Sequence, residues 1–325
     1  MFLPHMASPP ATMKAAAIDR FGPPRALKLH TLPVPAPRPG QVLIALHAAG
    51  VGVWDAQVRN GSWRPHGRPH FPLVPGTDGA GFVVAKGAGV RRLRIGERVW
   101  AADYASGFYA EYVAVNARHA ARVPVRLDML EAGAGLVTGL TALQGIDDAL
   151  HVRRGDTVLV FGASGAVGTL AVQFAKRRKA RVIATASGPK AARLARRLGA
   201  DGVFDARGSS AVQRLRALAP GGITAVLALA GGGALERCLD LVQPGGRIAY
   251  PNGVEPVPRG RSGMRLRAYD AVLAPRELAQ LDRAAREARL RVPIAAMYPL
   301  ARAAQAHQRV ERGHLAGRIV LRIHR

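Results

Sequence analysis

Residues 156–187 read DTVLVFGASGAVGTLAVQFAKRRKARVIATAS. A strand-length apolar run ends in glycines at 162, 165 and 168, an amphipathic stretch of helical length follows, and a second apolar run closes the segment. That order is strand, tight turn, helix, strand. A bend of this kind needs a residue without Cβ, a backbone that a ligand can approach, and a helix packed close to its strand. The helix N-terminus adds unpaired N–H groups and a partial positive charge, a natural seat for a pyrophosphate. The expected cradle is therefore Gly162, Ala163, Ser164, Gly165, Ala166, Val167 and Gly168. Its spacing is G-x-x-G-x-x-G, with Ala163 or Ser164 in the interval where the usual fingerprint carries a glycine. Alone, such a triplet equally describes an ordinary glycine-rich turn.

The context strengthens the reading. Downstream, apolar and amphipathic runs alternate: RVIATA, PKAARLARRLGA, GVFDA, SSAVQRLRALA, ITAVLALA, GALERCLDLVQ and GRIAYPN. Repeated βα units build a parallel sheet with right-handed crossovers, and MRLRAY supplies a sixth, edge strand. Upstream, short strand-like runs (MKAAAI, LKLHTL, QVLIALHAAGV, GAGFVVAKG, ERVWAA, YAEYVAV, HAARVP) are punctuated by glycine and proline, the pattern of a compact antiparallel β domain. Between the two, LDMLEAGAGLVTGLTALQGIDDAL reads as helix, either continuous or as two helices broken near its glycines. The tail gives two helices, APRELAQLDRAAREARL and LARAAQAHQRVERG, and a last strand, GRIVLRI, expected to pair back into the first domain. Residues 1–12 read as a loose extension or as chain upstream of a start at Met13, with Met1 and Met6 as the other candidate starts. The expected division is 13–130 completed by 270–325 for the β domain and 131–269 for the nucleotide domain.

Composition bounds the function. Hydrophobic residues are 49% of 325, enough for two sizeable cores. The single cysteine, Cys238, excludes an intrachain disulfide and a cysteine-rich zinc site, and fits a reducing cytoplasm. No apolar run approaches the roughly 18 residues of a membrane span. The formal charge of +26 attracts polyanions. The basic residues are scattered, however, and aromatics are 5%, too few for base-stacking platforms. Nucleic acid is thus expected only as weak, nonspecific binding.

Folds selective for NAD place Asp or Glu at the end of the second strand, where it holds the ribose 2′-OH. Here that place is Ala186, followed by Ser187 and Gly188, with Lys190 and Arg193 in the next helix. A carboxylate would repel a 2′-phosphate. Its absence, with two cations nearby, favours NADPH. The two cations also suit a solvated helix face. Two rival scaffolds fail: no tyrosine has lysine four residues on, as a short-chain dehydrogenase requires, and Ala166 stands where a G-x-S-x-G elbow needs glycine.

From Met13 onward the chain resembles the medium-chain dehydrogenase/reductase superfamily, and within it the zinc-free quinone oxidoreductase-like branch. The resemblance is carried by MKAAAIDRFGPPRALKL, PAPRPGQVLIALHAAGVGVWDAQVRNG, PLVPGTDGAGFVVAKGAGVRRLRIGERVW, YAEYVAV, TGLTALQGI, VLVFGASGAVGTLAVQFAK and ERGHLAGRIVL. It implies a GroES-like β domain around a Rossmann domain, hydride transfer in the cleft between them, and a homodimer through MRLRAY. Zinc-dependent relatives carry Cys in the segment matching AGVGVWD and Gly-His-Glu after the proline; here those places hold Gly52 and Gly76-Thr77-Asp78. His47, His66, His70 and His119 show no ligand spacing, so zinc is not expected. Without a Lewis acid, alcohol oxidation has nothing to stabilise an alkoxide.

The resemblance also places acceptor contacts at Gly52 and Gln57, where relatives commonly carry Asn and Tyr. Trp54 lies between them, with Trp63 a weaker candidate, and an indole stacks on a flat acceptor or simply packs in a core. Asp55 is expected to N-cap a short helix closed by Gly61, with Arg59 as its i+4 partner. Thr138 and Thr141 match the segment that touches the nicotinamide end, unless their hydroxyls bond their own helix. Ala191 and Ala206 replace the lysine and tyrosine that relatives use near the 2′-phosphate, and Lys190 and Arg207 stand beside them. Asn252 and Gly253 fall at the carboxyl edge of the sheet, where such folds bind ligands. The expected activity is zinc-independent, NADPH-dependent reduction of a quinone or similar electron-poor enone. The alternatives are an enoyl or alkenal reductase on the same scaffold and a non-catalytic basic nucleic-acid-binding protein.

Overall fold

The computed structural model describes residues 9–64, 67, 70–105 and 107–324; His66 and the candidate starts Met1 and Met6 lie outside them. Strands β1 (Thr12–Ala17) and β2 (Lys28–Pro33) form an antiparallel ribbon. Thr12 therefore pairs with Pro33 rather than ending a loose extension. Next come β3 (Gln41–Val51), α1 (Val53–Asn60), β4 (Asp78–Lys86), β5 (Arg98–Ala102), β6 (Tyr112–Asn116) and β7 (Ala120–Arg122). A long helix, α2 (Met129–Gln144), leads out of this region.

The βα units then follow as β8 (Thr157–Phe161), α3 (Ala166–Arg177), β9 (Arg181–Thr185), α4 (Gly188–Arg197), β10 (Gly202–Phe204), α5 (Ala211–Leu218), β11 (Ile223–Ala228), α6 (Gly233–Leu239), β12 (Val242–Pro251) and β13 (Arg265–Tyr269). They form one parallel sheet ordered β10-β9-β8-β11-β12-β13. This is a doubly wound sheet whose order reverses beside β8, so the turn after β8 opens at the crevice where such sheets bind ligands. After α7 (Pro275–Glu287) come β14 (Ile294–Pro299), α8 (Ala303–Glu311) and β15 (Arg318–Arg322). The tail rejoins the antiparallel sheet, ordered β14-β15-β3-β4-β5-β7, with β6 also on β3. Strand β14 was not expected from the sequence, because its IAAMYP carries no clean alternation.

Helix α2 decides between the two readings: it is not broken at its glycines. An Asp128/Glu131 capping box starts it, and it runs unbroken to Gln144 before a π-helical turn over Gly145–Ala149. The glycines serve packing instead. A Cβ at Gly133 would lie 2.6 Å from Ala48 Cβ, and one at Gly145 would lie 2.4 Å from the Tyr269 hydroxyl. Close approach to β3 and β13 offsets a helix-propensity cost of about 1 kcal/mol per glycine.

The turn glycines divide the same way. Gly162 takes a left-handed φ of 89°. Gly168 sits under the bend, where a Cβ would come within 2.3 Å of the Gly162 carbonyl oxygen. A Cβ on Gly165 would be 3.4 Å from that same atom, an ordinary contact. Gly168→Ala should therefore destabilise the protein by about 1–3 kcal/mol through overpacking, measured as a lowered urea midpoint. A midpoint equal to wild type would show that α3 packs less closely on β8 than this geometry requires.

Candidate active site

The carboxyl ends of the parallel strands meet the antiparallel domain at the glycine turn. Gly162 N–H donates to Thr185 Oγ1 at 2.7 Å, tying the ends of β8 and β9 together. The N-cap of α3 is Gly165, and no side chain caps it, so the first-turn N–H groups are left for a ligand. From the other domain, Gly317 N–H donates to the Ser164 carbonyl at 2.9 Å, and Gly165 and Gly317 form an isolated parallel bridge. The next residue, Arg318, pairs with Asp78 at 2.7 Å, both side chains almost fully buried. Asp78 Oδ2 also accepts the Val137 N–H of α2 at 3.0 Å. Burial raises the Asp78 carboxyl, and the Arg318 guanidinium opposes that shift. Arg318 Nε is buried with no protein partner, one residue from Gly317, which bridges the turn. A helix N-terminus without a capping side chain, behind a glycine turn, fits a pyrophosphate-bearing cofactor.

Around the 2′-position, the end of β9 carries Ala186 and then Ser187, the N-cap of α4. The Ser187 hydroxyl caps nothing, and Ser187, Lys190 and Arg193 are all exposed. Arg207 instead turns back on Asp205 at 2.7 Å.

On the acceptor side, α1 begins at Gly52 and presents Trp54. A Cβ on Gly253, at the end of β12, would lie 2.7 Å from Trp54 Cη2, so the indole rests against bare backbone across the cleft. Gly253 has φ 89°. Trp63 lies 5.5 Å from Trp54 between ring centroids, tilted by 55°. Asn252 donates its side-chain amide to Asp270 at 2.7 Å and is thereby drawn off the cleft. Thr138 and Thr141 donate to the Ala134 and Val137 carbonyls, both at 2.9 Å. Their hydroxyl protons are used within α2, which leaves the oxygens as acceptors only. Gln57 is half-buried on α1.

Beneath α1 lies a buried polar chain that the sequence reading missed. Asp55 is not the N-cap but the third residue of the helix; Gly52 is the cap, and Gly61 closes the helix with φ 81° as expected. Asp55 Oδ2 accepts the Gly52 N–H at 2.7 Å, and Oδ1 accepts the Thr77 hydroxyl at 2.8 Å. Arg59 is not its partner. Arg59 reaches Glu311 at 2.6 Å, the Gly22 carbonyl at 2.9 Å and His307 Nδ1 at 3.2 Å. Because Arg59 only donates, His307 Nδ1 accepts, and Nε2–H must donate to the Tyr109 oxygen 3.1 Å away. Tyr109 is fully buried near Asp55, and burial together with that carboxylate raises its hydroxyl. The hydrogen bonds from Arg59 to His307 and from His307 to Tyr109 thus run in one direction. Burial, with Arg59 beside it, lowers His307 to about 3, which keeps the ring neutral. These partners are separated by up to 252 residues, so only the fold could reveal them.

A zinc ion would need ligands that this cleft does not assemble. Gly52 has no side chain, Asp78 is held by Arg318, and Asp55 by Gly52 and Thr77. Cys238 is buried on α6, within the core of the nucleotide domain. Among the described residues no group of three or more His, Cys, Asp or Glu comes together.

Residues 38–125 match the family described as alcohol dehydrogenase GroES-like domain, and residues 198–321 match zinc-binding dehydrogenase. Quinone oxidoreductase from Lama guanicoe is 31% identical over 97% of this chain and 99% of its own. Among solved structures, an NAD-dependent alcohol dehydrogenase is similar at 30% identity and TM-score 0.89, covering 96% of this chain and 100% of its own. The mycobacterial protein Rv1454c complexed with NADPH is similar at 31% identity and TM-score 0.82, covering 95% and 99%. A Rossmann sheet joined to a GroES-like domain, with a cofactor cradle between them, defines an oxidoreductase of the two-domain dehydrogenase type. The chain belongs to the medium-chain dehydrogenase/reductase superfamily, in its quinone oxidoreductase-like branch.

Asp55 makes this site pH-sensitive. Burial pushes its carboxyl up to about 6 from 3.8. The folded state therefore holds this proton more tightly than the unfolded state, and between pH 4 and 6 the contribution of Asp55 to stability falls as pH rises. Asp55→Asn should remove that fall, of order a few kcal/mol across the window. The check is a urea midpoint series at several pH values, wild type minus variant. A difference that grows in favour of wild type as pH rises would reverse the assignment.

Proposed function

We propose that this oxidoreductase uses NADPH, without zinc, to reduce a quinone or a comparable electron-poor enone. The observation that carries the acceptor reading is the Trp54 indole lying against the Gly253 backbone, with Trp63 beside it. Two of the three tryptophans of a chain poor in aromatics lie together beside Gly253, which supports an aromatic wall for the acceptor. Aromatic faces bind flat conjugated rings, with about 0.5–1.5 kcal/mol per favourable pair beyond area burial. NADPH, when bound, supplies a hydride from nicotinamide C4. The α3 N-terminus and the Gly162–Gly168 turn would hold its pyrophosphate, and Ser187, Lys190 and Arg193 its 2′-phosphate. The protein's share of catalysis is then positioning and water exclusion in the cleft.

Zinc independence is supported by the donor set, since the side chains nearest the cleft are already bonded to one another. An enoyl or alkenal reductase uses the same cradle and is separated by acceptor preference. The homodimer through β13 is part of the proposal, supported by that strand's exposed place at the sheet edge. So is the division into 13–130 with 270–325 and 131–269, and so is a cytoplasmic setting.

Three variants test the reading with NADPH oxidation and cofactor titration. Gly165→Val should abolish binding of both NADPH and NADH while the thermal transition is retained, because the added branch points where phosphates must sit. Lys190→Gln with Arg193→Gln should weaken NADPH by about 10–100-fold and leave NADH unchanged. Trp54→Ala should raise KM for a naphthoquinone about tenfold with NADPH affinity intact. Faster turnover of enoyl thioesters or alkenals than of any quinone would replace the acceptor assignment, and full NADPH affinity in Gly165→Val would remove the cradle from it.

A further inference from the structure

Helices α3, α4 and α7 end at the amino edge of the parallel sheet, opposite the cofactor cradle. Two adjoining grooves open there, of about 360 Å³ and 290 Å³, sharing Arg289 and Arg291. Six cations line them: Arg126, Lys176, Arg177, Arg197, Arg289 and Arg291. Two of the six are already paired with carboxylates, and a third acid is held by backbone amides. Asp201 holds Lys176 at 2.8 Å, and Glu287 holds Arg177 at 2.8 Å. Glu131 accepts the Asp128 and Val292 N–H groups. Among the described residues, the guanidinium groups of Arg126, Arg197, Arg289 and Arg291 have no anionic partner, and all four residues are exposed.

Cations in the last turn of a helix favour its dipole, which accounts for Arg197. It does not account for the rest. Arg126 and Arg291 lie in connecting segments. Arg289 follows α7 with φ 49°, the left-handed position that ordinarily belongs to glycine. Lys179, after α3, repeats this with φ 60°. His151 and His314 take the same left-handed backbone elsewhere, so at the grooves it is Arg289 alone whose side chain is kept at a position that disfavours one.

We propose that this double groove is a second binding site, for a linear chain of phosphates. Four unpaired guanidinium groups spread over two continuous grooves match repeated anionic charge better than a single small anion. No aromatic residue lines either groove, so bases have nothing to stack on. Recognition is therefore of the phosphate chain itself, independent of sequence. Nucleic-acid duplex and inorganic polyphosphate are the two sources of that chemistry.

The test must separate a local groove from the overall charge of +26. One variant carries Arg→Gln at 126, 197, 289 and 291. A control carries Arg→Gln at 38, 118, 302 and 312, exposed positions elsewhere that remove the same charge. Fluorescence anisotropy follows labelled polyphosphate and labelled duplex DNA across a salt series. The groove variant should bind at least tenfold more weakly at about 0.15 M salt, with the salt dependence shallower by about three charges, and the control should stay within about twofold of wild type. Both variants should melt at the wild-type temperature and oxidise NADPH at the wild-type rate. The tighter of the two probes in wild type names the source. Equal losses in the two variants would overturn the groove in favour of diffuse charge. No binding of either probe by wild type, or tighter binding of single-stranded oligonucleotide than of both, would also overturn it.

Discussion

Much of this architecture depends on one buried ion pair. Arg318 of β15 and Asp78 of β4 meet at 2.7 Å, and the second Asp78 oxygen takes an amide from α2. Two charges out of water carry a desolvation cost that only good geometry offsets. The geometry is secured by an absence: a Cβ on Gly50 would lie 2.6 Å from Arg318 Nη2 and 2.7 Å from Asp78 Oδ1. The pair thus occupies space that one strand of the β domain leaves empty. One residue before it, Gly317 bridges the glycine turn. The chain's last strand is thereby fastened both to the β domain and to the cofactor cradle. Placing the cradle at the domain boundary follows from this fastening as much as from the Rossmann motif.

A second constraint operates beneath α1. Arg59 fixes the donor and acceptor roles of His307 and, through it, of the bond to Tyr109, while the nearby Asp55 is held by the Gly52 amide and the Thr77 hydroxyl. A network so satisfied is rigid, whereas a partly satisfied one is costly in a low-dielectric interior. Asp55 holds the Gly52 amide, and so sets where α1 begins. That start in turn sets the height of Trp54 above Gly253. The aromatic wall of the cleft is held from below by polar chemistry and from across by a glycine that adds no side chain.

The parts legible in the sequence were those whose cause is local. The order of βα units follows from alternating apolar and amphipathic runs, and the cradle from three glycines between a strand and a helix. The edge position of MRLRAY and the return of GRIVLRI to the β domain also agree with the structure. The failures share a different cause. The glycines of α2 look like breaks because propensity is local, but they answer to Ala48, Leu281 and Tyr269, far along the chain. Asp55 and Arg59 have the spacing of an i+4 pair, yet Arg59 is taken by Glu311 and His307 from α8. Tertiary competition for a side chain leaves no trace in its neighbours.

The same bonding bears on the chemistry. Reducing an acceptor adds a hydride and then a proton, and a buried acid is the usual source of the second. Here Asp55 lies below the acceptor wall with one oxygen on the Gly52 amide and the other on the Thr77 hydroxyl. The polar groups of the floor are spent on one another. An alcohol or an unactivated ketone would need one of them freed to manage charge on its oxygen. A quinone does not, because its negative charge spreads over the ring and onto an outer oxygen that water can reach. On the reading proposed above, such a floor suits acceptors that delocalise the charge they receive, and the neighbouring indoles suit the flat shape of such molecules.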